Sequence, residues 1–394
     1  MGKITVAIQY PSFGPQHPPR LRAIVGRSPL RNCEVVAMEM FAKDSDYEWD
    51  AVPSKPGTGY RRHTVYSGSS NEGRGSDRDL ERSVVAALED IKPDVLVVNG
   101  WGHKESRYSL KWCRATGTKF VLLSDSVYEN RRRLLPLELY KKWLVRGASA
   151  GFVAGRPQAR YLARLGVRPS KIFHPGACSI DNDYWTERAD SARERADELR
   201  KDLDLPERYF FMCSRFLNWK NIPFVIDAFS RYRASTKGTP IDLVICGSGE
   251  EEPKIKSKIT NLGLDQHVTL RGFQQIDQLP IYYGLSTCFI HASSSFECWG
   301  LVVNEAMASG LPVLVSKAVG SAEDLVANGI NGFVFDPRNV QGLAQLMDEI
   351  TIQPNRASIM GERSREIIEG HSVNVGADAF WNGVISALPL QSAW

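Results

Sequence analysis

The chain has 394 residues, 43% of them hydrophobic and 24% charged, with a net charge of +4. That size suggests two domains, and the balance excludes a disordered or fibrous chain. No apolar run reaches the roughly 18 residues that a membrane-spanning helix needs.

The amino-terminal MGKITVAIQY reads as a first strand, not a secretory leader. Within it, KITVAIQY (3–10) is apolar and β-branched and runs into a Pro/Gly loop, PSFGPQHPP. Residues 52–80 are rich in Gly, Ser and Arg with little periodicity and read as a mobile loop with one short strand. Next, 79–101 reads as a helix, a Pro turn and a continuous apolar strand. Strands follow at TKFVLLSDS (118–126), ASAGFVAG (148–155) and SKIFHPGA (170–177). Between them, 129–147 carries six cations and two acids beside Leu134, Leu135, Leu137, Trp143 and Leu144. Such a helix either docks on anionic lipid, receives an anionic acceptor, or packs on its own sheet.

The segment 181–208 is charged and helical with no strand, a place for a domain boundary. The strand series then restarts at 209–216, 241–249, 268–273, 287–294, 311–316 and 332–336. Continuous apolar strands alternating with amphipathic helices indicate parallel sheets covered on both faces. The fold class expected is therefore α/β: two doubly wound Rossmann-like domains facing across a cleft. The expected boundaries are 1–185 and 186–372, with 373–394 as a final helix returning to the first domain.

Composition adds two points. The seven cysteines (Cys33, Cys113, Cys178, Cys213, Cys246, Cys288, Cys298) are scattered, odd in number and never in C-x-x-C spacing. They predict reduced thiols in a cytoplasmic protein and no zinc site. Residues 1–185 hold 29 Lys and Arg against 19 Asp and Glu, a net of +10. A basic half suits an anionic partner such as a phosphate or the inner face of a membrane, although ordinary compositional scatter gives the same figure. Nothing points to nucleic acid.

Candidate chemistry concentrates in the second half. The strand YFFMCSRF ends at Arg215, and Lys220 follows five residues later. A fork and a point charge past a strand end suit a diphosphate, though two surface cations would look the same. CGSGEEE places Gly247 and Gly249 after the next strand, a weak signal on its own. In SSSFECWGLVVNEAMASGLPVLVS (293–316), Glu297 precedes a helix start near Gly300, and Glu305 lies inside that helix. A helix N-terminus is an anion site, and carboxylates accept hydrogen bonds from hydroxyls. A nucleotide sugar offers the matching set: diphosphate, sugar hydroxyls and ribose hydroxyls. Acidic residues near a helix start are also common because the dipole favours them. In the first half, His103 in NGWGHKE and Asp125 in SDS each follow a strand end.

The motifs SRFLNWKN, CGSGEEE, VTLRGF and SSSFECWGLVVNEAMASGLPVLVSKAVGSAEDLVANGINGFVFDP resemble the family-four retaining glycosyltransferases of GT-B architecture. Glu297, Glu305, Ala306, Gly310, Pro312, Gly320, Glu323, Asn331 and Gly332 stand in the family's register. The resemblance implies a metal-independent hexosyltransferase without cofactor, taking a UDP- or GDP-sugar as donor and a sugar or lipid-linked acceptor in polysaccharide or glycoconjugate biosynthesis. It implies that the first domain binds the acceptor and the second the nucleotide sugar. It also implies roles for single residues. Glu297 binds donor-sugar hydroxyls and Glu305 the ribose. Arg215 and Lys220 hold the diphosphate, while Gly272 and Phe273 touch the base. The backbone of Gly300, Leu301 and Val302 meets phosphate or sugar, with Gly247 and Gly249 beside it. Gly14 of the first loop would meet the donor. From their places at strand ends, His103 either orients a donor hydroxyl, acts on the acceptor or is a surface histidine after a turn, and Asp125 is a candidate to meet the acceptor or the donor sugar. Three departures stand out: Cys298 and Trp299 replace a small residue and Phe, Gly320-Ser321 stands where the family often has Gly-Gly, and PSFGPQHPPR is poorer in glycine than the family's first loop. Trp299 then either narrows the sugar pocket or packs beneath the helix. Two other readings remain at this stage: a sugar-nucleotide epimerase of the same architecture, and a non-catalytic two-lobed sugar-binding protein.

Overall fold

A computed structural model describes residues 3–43, 48–50, 52, 57–69, 76–130, 133–176, 178–295 and 297–388. The chain forms two units, 1–180 with 372–394, and 181–371.

The first unit is built on seven strands: β1 (Ile4–Ser12), β2 (Cys33–Lys43), β3 (Arg61–Ser69), β4 (Val95–Asn99), β5 (Lys119–Ser124), β6 (Ala150–Val153) and β7 (Ile172–Phe173). They run parallel in the order β3-β2-β1-β4-β5-β6-β7. Both faces are covered, so β4 is apolar and buried from Val95 to Val98 before Asn99 ends it. The helix Asp77–Ile91 starts in a capping box, with Ser76 and Asp79 exchanging side-chain and backbone hydrogen bonds.

The last helix, Val373–Ile385, packs on His17–Gly26 in this unit. The Trp381 indole N–H donates to the Ile24 carbonyl at 2.7 Å, and Phe380 meets Phe152 edge-on. In the stretch expected to be a mobile loop with one short strand, the strand is β3, nine residues long at the sheet edge. Residues 53–56 and 70–75 of that stretch lie outside the described residues.

The second unit has six strands: β8 (Tyr209–Cys213), β9 (Asp242–Cys246), β10 (Val268–Leu270), β11 (Cys288–His291), β12 (Val313–Ser316) and β13 (Gly332–Phe335). All pairs are parallel, in the order β10-β9-β8-β11-β12-β13. The units divide at 180/181 rather than at the expected 185/186. The reason is Trp185: its ring is buried edge-on to Tyr283 at 5.6 Å, which fixes the helix Asn182–Glu194 to the second sheet's helices.

All seven cysteines are free thiols. Among the described residues no helix is long and apolar enough to cross a membrane.

Candidate active site

In an open parallel sheet, ligands bind beyond the carboxyl ends of the strands, where the strand order reverses. In the second unit that point lies between β8 and β11. The loop after β8 carries Arg215 and Lys220, and the loop after β11 carries Glu297.

These two loops are stitched together. Both the backbone N–H and the hydroxyl of Ser294 donate to the Trp219 carbonyl, at 2.8 and 3.2 Å. The Glu297 carbonyl accepts from Gly320 N–H at 3.1 Å, tying the same loop to the turn after β12. The Lys220 ammonium is ion-paired to Glu297 Oε2, and Ser293 donates to the same oxygen at 2.8 Å. His291 Nε2 lies 3.3 Å from it. An ionised carboxylate only accepts, so this nitrogen carries the proton. Lys220 and Glu297 side chains are only 11% and 12% exposed.

Burial alone would raise the Glu297 carboxyl. The His291 hydrogen bond and the Lys220 charge outweigh it and hold the carboxyl well below its usual range. Burial pushes His291 down, with Glu297 opposing and Lys220 assisting, so the imidazole is neutral near pH 7. The cluster is therefore a buried carboxylate with three donors around one oxygen.

The glycines shape the same end of the sheet. Gly300 has φ +89° at the start of the Leu301–Ala308 helix, and a side chain there would meet Val319 and His291 at 3.0 and 3.2 Å. The first N–H groups of that helix, at Leu301 and Val302, have no intrahelical acceptor, and they follow Glu297 closely in the chain. Gly247 and Gly249 do something else. A Cβ on Gly247 would stand 1.9 Å from the Ser214 carbonyl oxygen, and one on Gly249 2.7 Å from that of Phe216. They let the loop after β9 lie against the loop bearing Arg215, where Phe216 N–H donates to Ser248 at 2.6 Å. Gly272 has φ +66°, and its carbonyl accepts from Gly247 N–H at 2.7 Å. It is exposed, and Phe273 beside it is half-buried.

Glu305 is buried in the helix interior and accepts from the Tyr283 hydroxyl at 3.0 Å. Trp299 is 3% exposed, and its indole donates to Asn304 at 2.8 Å. Of the two expectations for Trp299, the structure gives packing, not an open pocket wall.

The remaining candidates stand in the first unit. His103 stands at the N-cap position of the helix Lys104–Thr116 without a side-chain capping bond; it is 54% exposed, 3.6 Å from Glu105. Asp125 follows β5. Burial pushes its carboxyl up, against the pull of Arg20 and of the Cys178 thiol, and its Oδ1 has no hydrogen-bond partner among the described residues. Gly14 N–H donates to His17 Nδ1 at 2.8 Å. Sequence reasoning passed over His291, Ser293, Tyr283 and His17. The signal for His291 was its place as the last residue of a buried strand, where the chain turns toward the site.

The His17 ring lies against Tyr10 at 4.5 Å and Phe13 at 5.3 Å. Burial and the Arg20 charge push its pKa down to about 3. Between the ordinary value of about 6.5 and that figure, the unfolded chain binds a proton the folded chain does not, so stability falls as pH falls. His17 is partly exposed, so the loss by pH 5 is on the order of 1 kcal/mol. The urea midpoint is expected to drop less in His17→Asn than in the unsubstituted protein between pH 7 and 5. Equal drops would assign the effect elsewhere.

Residues 195–367 match the family model Glycosyl transferases group 1. The chain is 29% identical over 265 residues to a GDP-mannose-dependent alpha-(1-6)-phosphatidylinositol monomannoside mannosyltransferase of Mycobacterium tuberculosis, covering 64% of this chain and 66% of the relative. It is 28% identical over 172 residues to a poly(glycerol-phosphate) alpha-glucosyltransferase of Bacillus subtilis, covering 43% and 25%. The chain thus spans less than two thirds of the length of these curated relatives. Among solved structures, Anabaena HepE in complex with UDP superposes with a TM-score of 0.73 at 18% identity, covering 98% of this chain and all of that one. A sucrose-phosphate synthase from Thermosynechococcus elongatus gives 0.74 at 17% identity, with the same coverage. These likenesses show the fold, which is that of the GT-B glycosyltransferases.

Proposed function

We propose, from the match of residues 195–367 to the glycosyl transferases group 1 model, that the protein moves a sugar from a nucleotide-diphosphate sugar to an acceptor hydroxyl, with retention at the anomeric carbon. The observation that carries this reading is the buried Lys220–Glu297–His291–Ser293 cluster, seated beside a helix N-terminus at the switch point of the second sheet. The donor base is proposed to be guanine or uracil. The Mycobacterium tuberculosis relative is GDP-mannose-dependent, and the HepE complex holds UDP. The acceptor is proposed to be a sugar or a lipid-linked sugar, after the phosphatidylinositol monomannoside in the first relative's name.

The reaction breaks the bond between the anomeric carbon and a β-phosphate oxygen and forms one to the acceptor oxygen on the same face. The acceptor's proton passes to the departing phosphate. Positive charge grows on the sugar and negative charge on the phosphate. Arg215, Lys220 and the N–H groups of Leu301 and Val302 meet the phosphate charge, so no metal enters this reading. A preorganised donor at such a place is worth about 3–4 kcal/mol in the transition state. Glu297, held ionised, accepts from donor-sugar hydroxyls. Glu305, oriented by Tyr283, accepts from the ribose. Gly272 and Phe273 lie where the base would be held. In the first unit, Asp125 and His103 are proposed to receive the acceptor.

The test is a melting screen against UDP-, GDP-, ADP- and TDP-sugars, followed by detection of free nucleoside diphosphate with and without EDTA. One base is expected to stabilise the fold, by about 2.7 kcal/mol at a hundredfold excess over Kd. Its sugar is expected to be slowly released with the diphosphate, at a rate EDTA does not change. Sugar altered without nucleotide release would point to an epimerase. Sugar bound without any nucleotide preference would point to a binding protein.

A further inference from the structure

The helix Leu135–Val145 was open to two accounts by pattern alone, packing on its own sheet or meeting something outside. The structure decides against packing for most of its apolar residues. Leu134, Leu135, Leu137, Leu139, Tyr140 and Trp143 are 45–72% exposed, and they make up six of the ten exposed large hydrophobic residues described. Only Leu144 and Val145, at the carboxyl end, are buried. The helix is nevertheless fixed in place. Glu138 turns inward and accepts from the Tyr161 hydroxyl at 2.9 Å and from Lys141 at 2.7 Å. Arg114 lies over the Trp143 ring at 4.7 Å. An apolar patch held rigidly in water marks an interaction surface.

The charges around the patch say which kind. Lys142 and Arg146 are exposed on the same helix and at its end. They also line a surface recess with Arg168 and Lys171, and no carboxylate contributes to that lining. The one acid of the helix, Glu138, is already engaged with Lys141 and Tyr161. Leucines with a stacked Tyr140–Trp143 pair (centroids 6.0 Å apart) and flanking cations are the composition of an interfacial helix, whose rings sit at headgroup depth while the cations meet lipid phosphates. A second copy fits poorly, because a two-fold contact would set Lys142 and Arg146 against themselves.

We propose that the 134–146 face and its cationic recess dock this protein on an anionic lipid surface, lying in the interface without spanning it. The proposal rests on the first unit alone, not on the reaction proposed above.

Flotation with vesicles of phosphatidylcholine, or of phosphatidylcholine with one third phosphatidylglycerol, tests it. The protein is expected to float with the anionic vesicles at least about tenfold better than with the neutral ones, and less well as salt rises. Two variants probe the two halves of the surface: Leu135→Ser/Leu139→Ser/Trp143→Ser, and Lys142→Glu/Arg146→Glu/Lys171→Glu. Each should lose about tenfold or more in partitioning. The side chains changed are mostly exposed, so melting temperatures should stay close to that of the unsubstituted protein. Absence of flotation, or equal flotation of all three proteins, overturns the proposal. So does a concentration-dependent dimer in sedimentation that the leucine variant dissolves while vesicles go unbound, which would assign the face to self-association.

Discussion

Lys220→Met is expected to lower kcat/KM for sugar transfer by about 100- to 1,000-fold, the usual loss when one preorganised donor facing a developing negative charge is removed. Lys220 and Glu297 are each almost nine-tenths covered, so the ammonium acts through little water. Without Lys220, Glu297 keeps His291 and Ser293 as donors but loses its cation. Its depressed carboxyl must then rise. In the unsubstituted protein the depressed carboxyl contributes stability above its unfolded pKa of about 4.3, and that stability is lost as pH falls through the lower folded value. The rate should therefore show no step from Glu297 in the neutral range, whereas Lys220→Met should bring a new acidic limb into the profile. Glu297→Gln separates the roles: turnover falls, while affinity for the free nucleoside diphosphate, read by calorimetry, holds. The double variant should cost far less than the product of the singles, since the two groups act as one unit. A Lys220→Met enzyme within threefold of the unsubstituted rate would remove the cluster from the chemistry.

How much of this was legible depends on the range of the physics. The strand starts at 209, 241, 268, 287, 311 and 332 were readable because a buried parallel strand is apolar at every position, a local signal. Glu297 and Glu305 were readable through their spacing around a helix start. The Lys220–Glu297 contact joins residues 77 apart, and no local pattern reports it. Gly247 and Gly249 were visible as glycines, but their reason, two backbone carbonyls of another loop, is a tertiary fact. Strand β2 went unread because Glu34 and Glu39 interrupt its apolar run. The helix 135–145 shows the opposite limit: its pattern fits a packed amphipathic helix and an outward-facing one equally, and only the accessible surface shows that most of its apolar side chains face outward.

Glu39 is also the site of the second large effect. Replacing it with Ala is expected to destabilise the first unit by about 3–5 kcal/mol. Glu39 is 1% exposed in the middle of β2, where its two oxygens take a bidentate pair of hydrogen bonds from Arg62, each at 2.7 Å, and one from Thr64. Arg62 also donates to the Val52 carbonyl at 2.6 Å and lies over the Phe13 ring at 4.5 Å. Truncating the acid leaves a largely buried guanidinium without its counter-charge, and the desolvation already incurred is no longer offset. The ion pair itself need not be stabilising relative to an apolar pair of similar volume. Glu39→Leu with Arg62→Met should therefore recover most of what Glu39→Ala loses, when both are followed by urea unfolding. If Glu39→Ala costs under about 1 kcal/mol, Arg62 finds water or another acceptor once the carboxylate is gone, and β3 is held to the sheet by its backbone ladder alone.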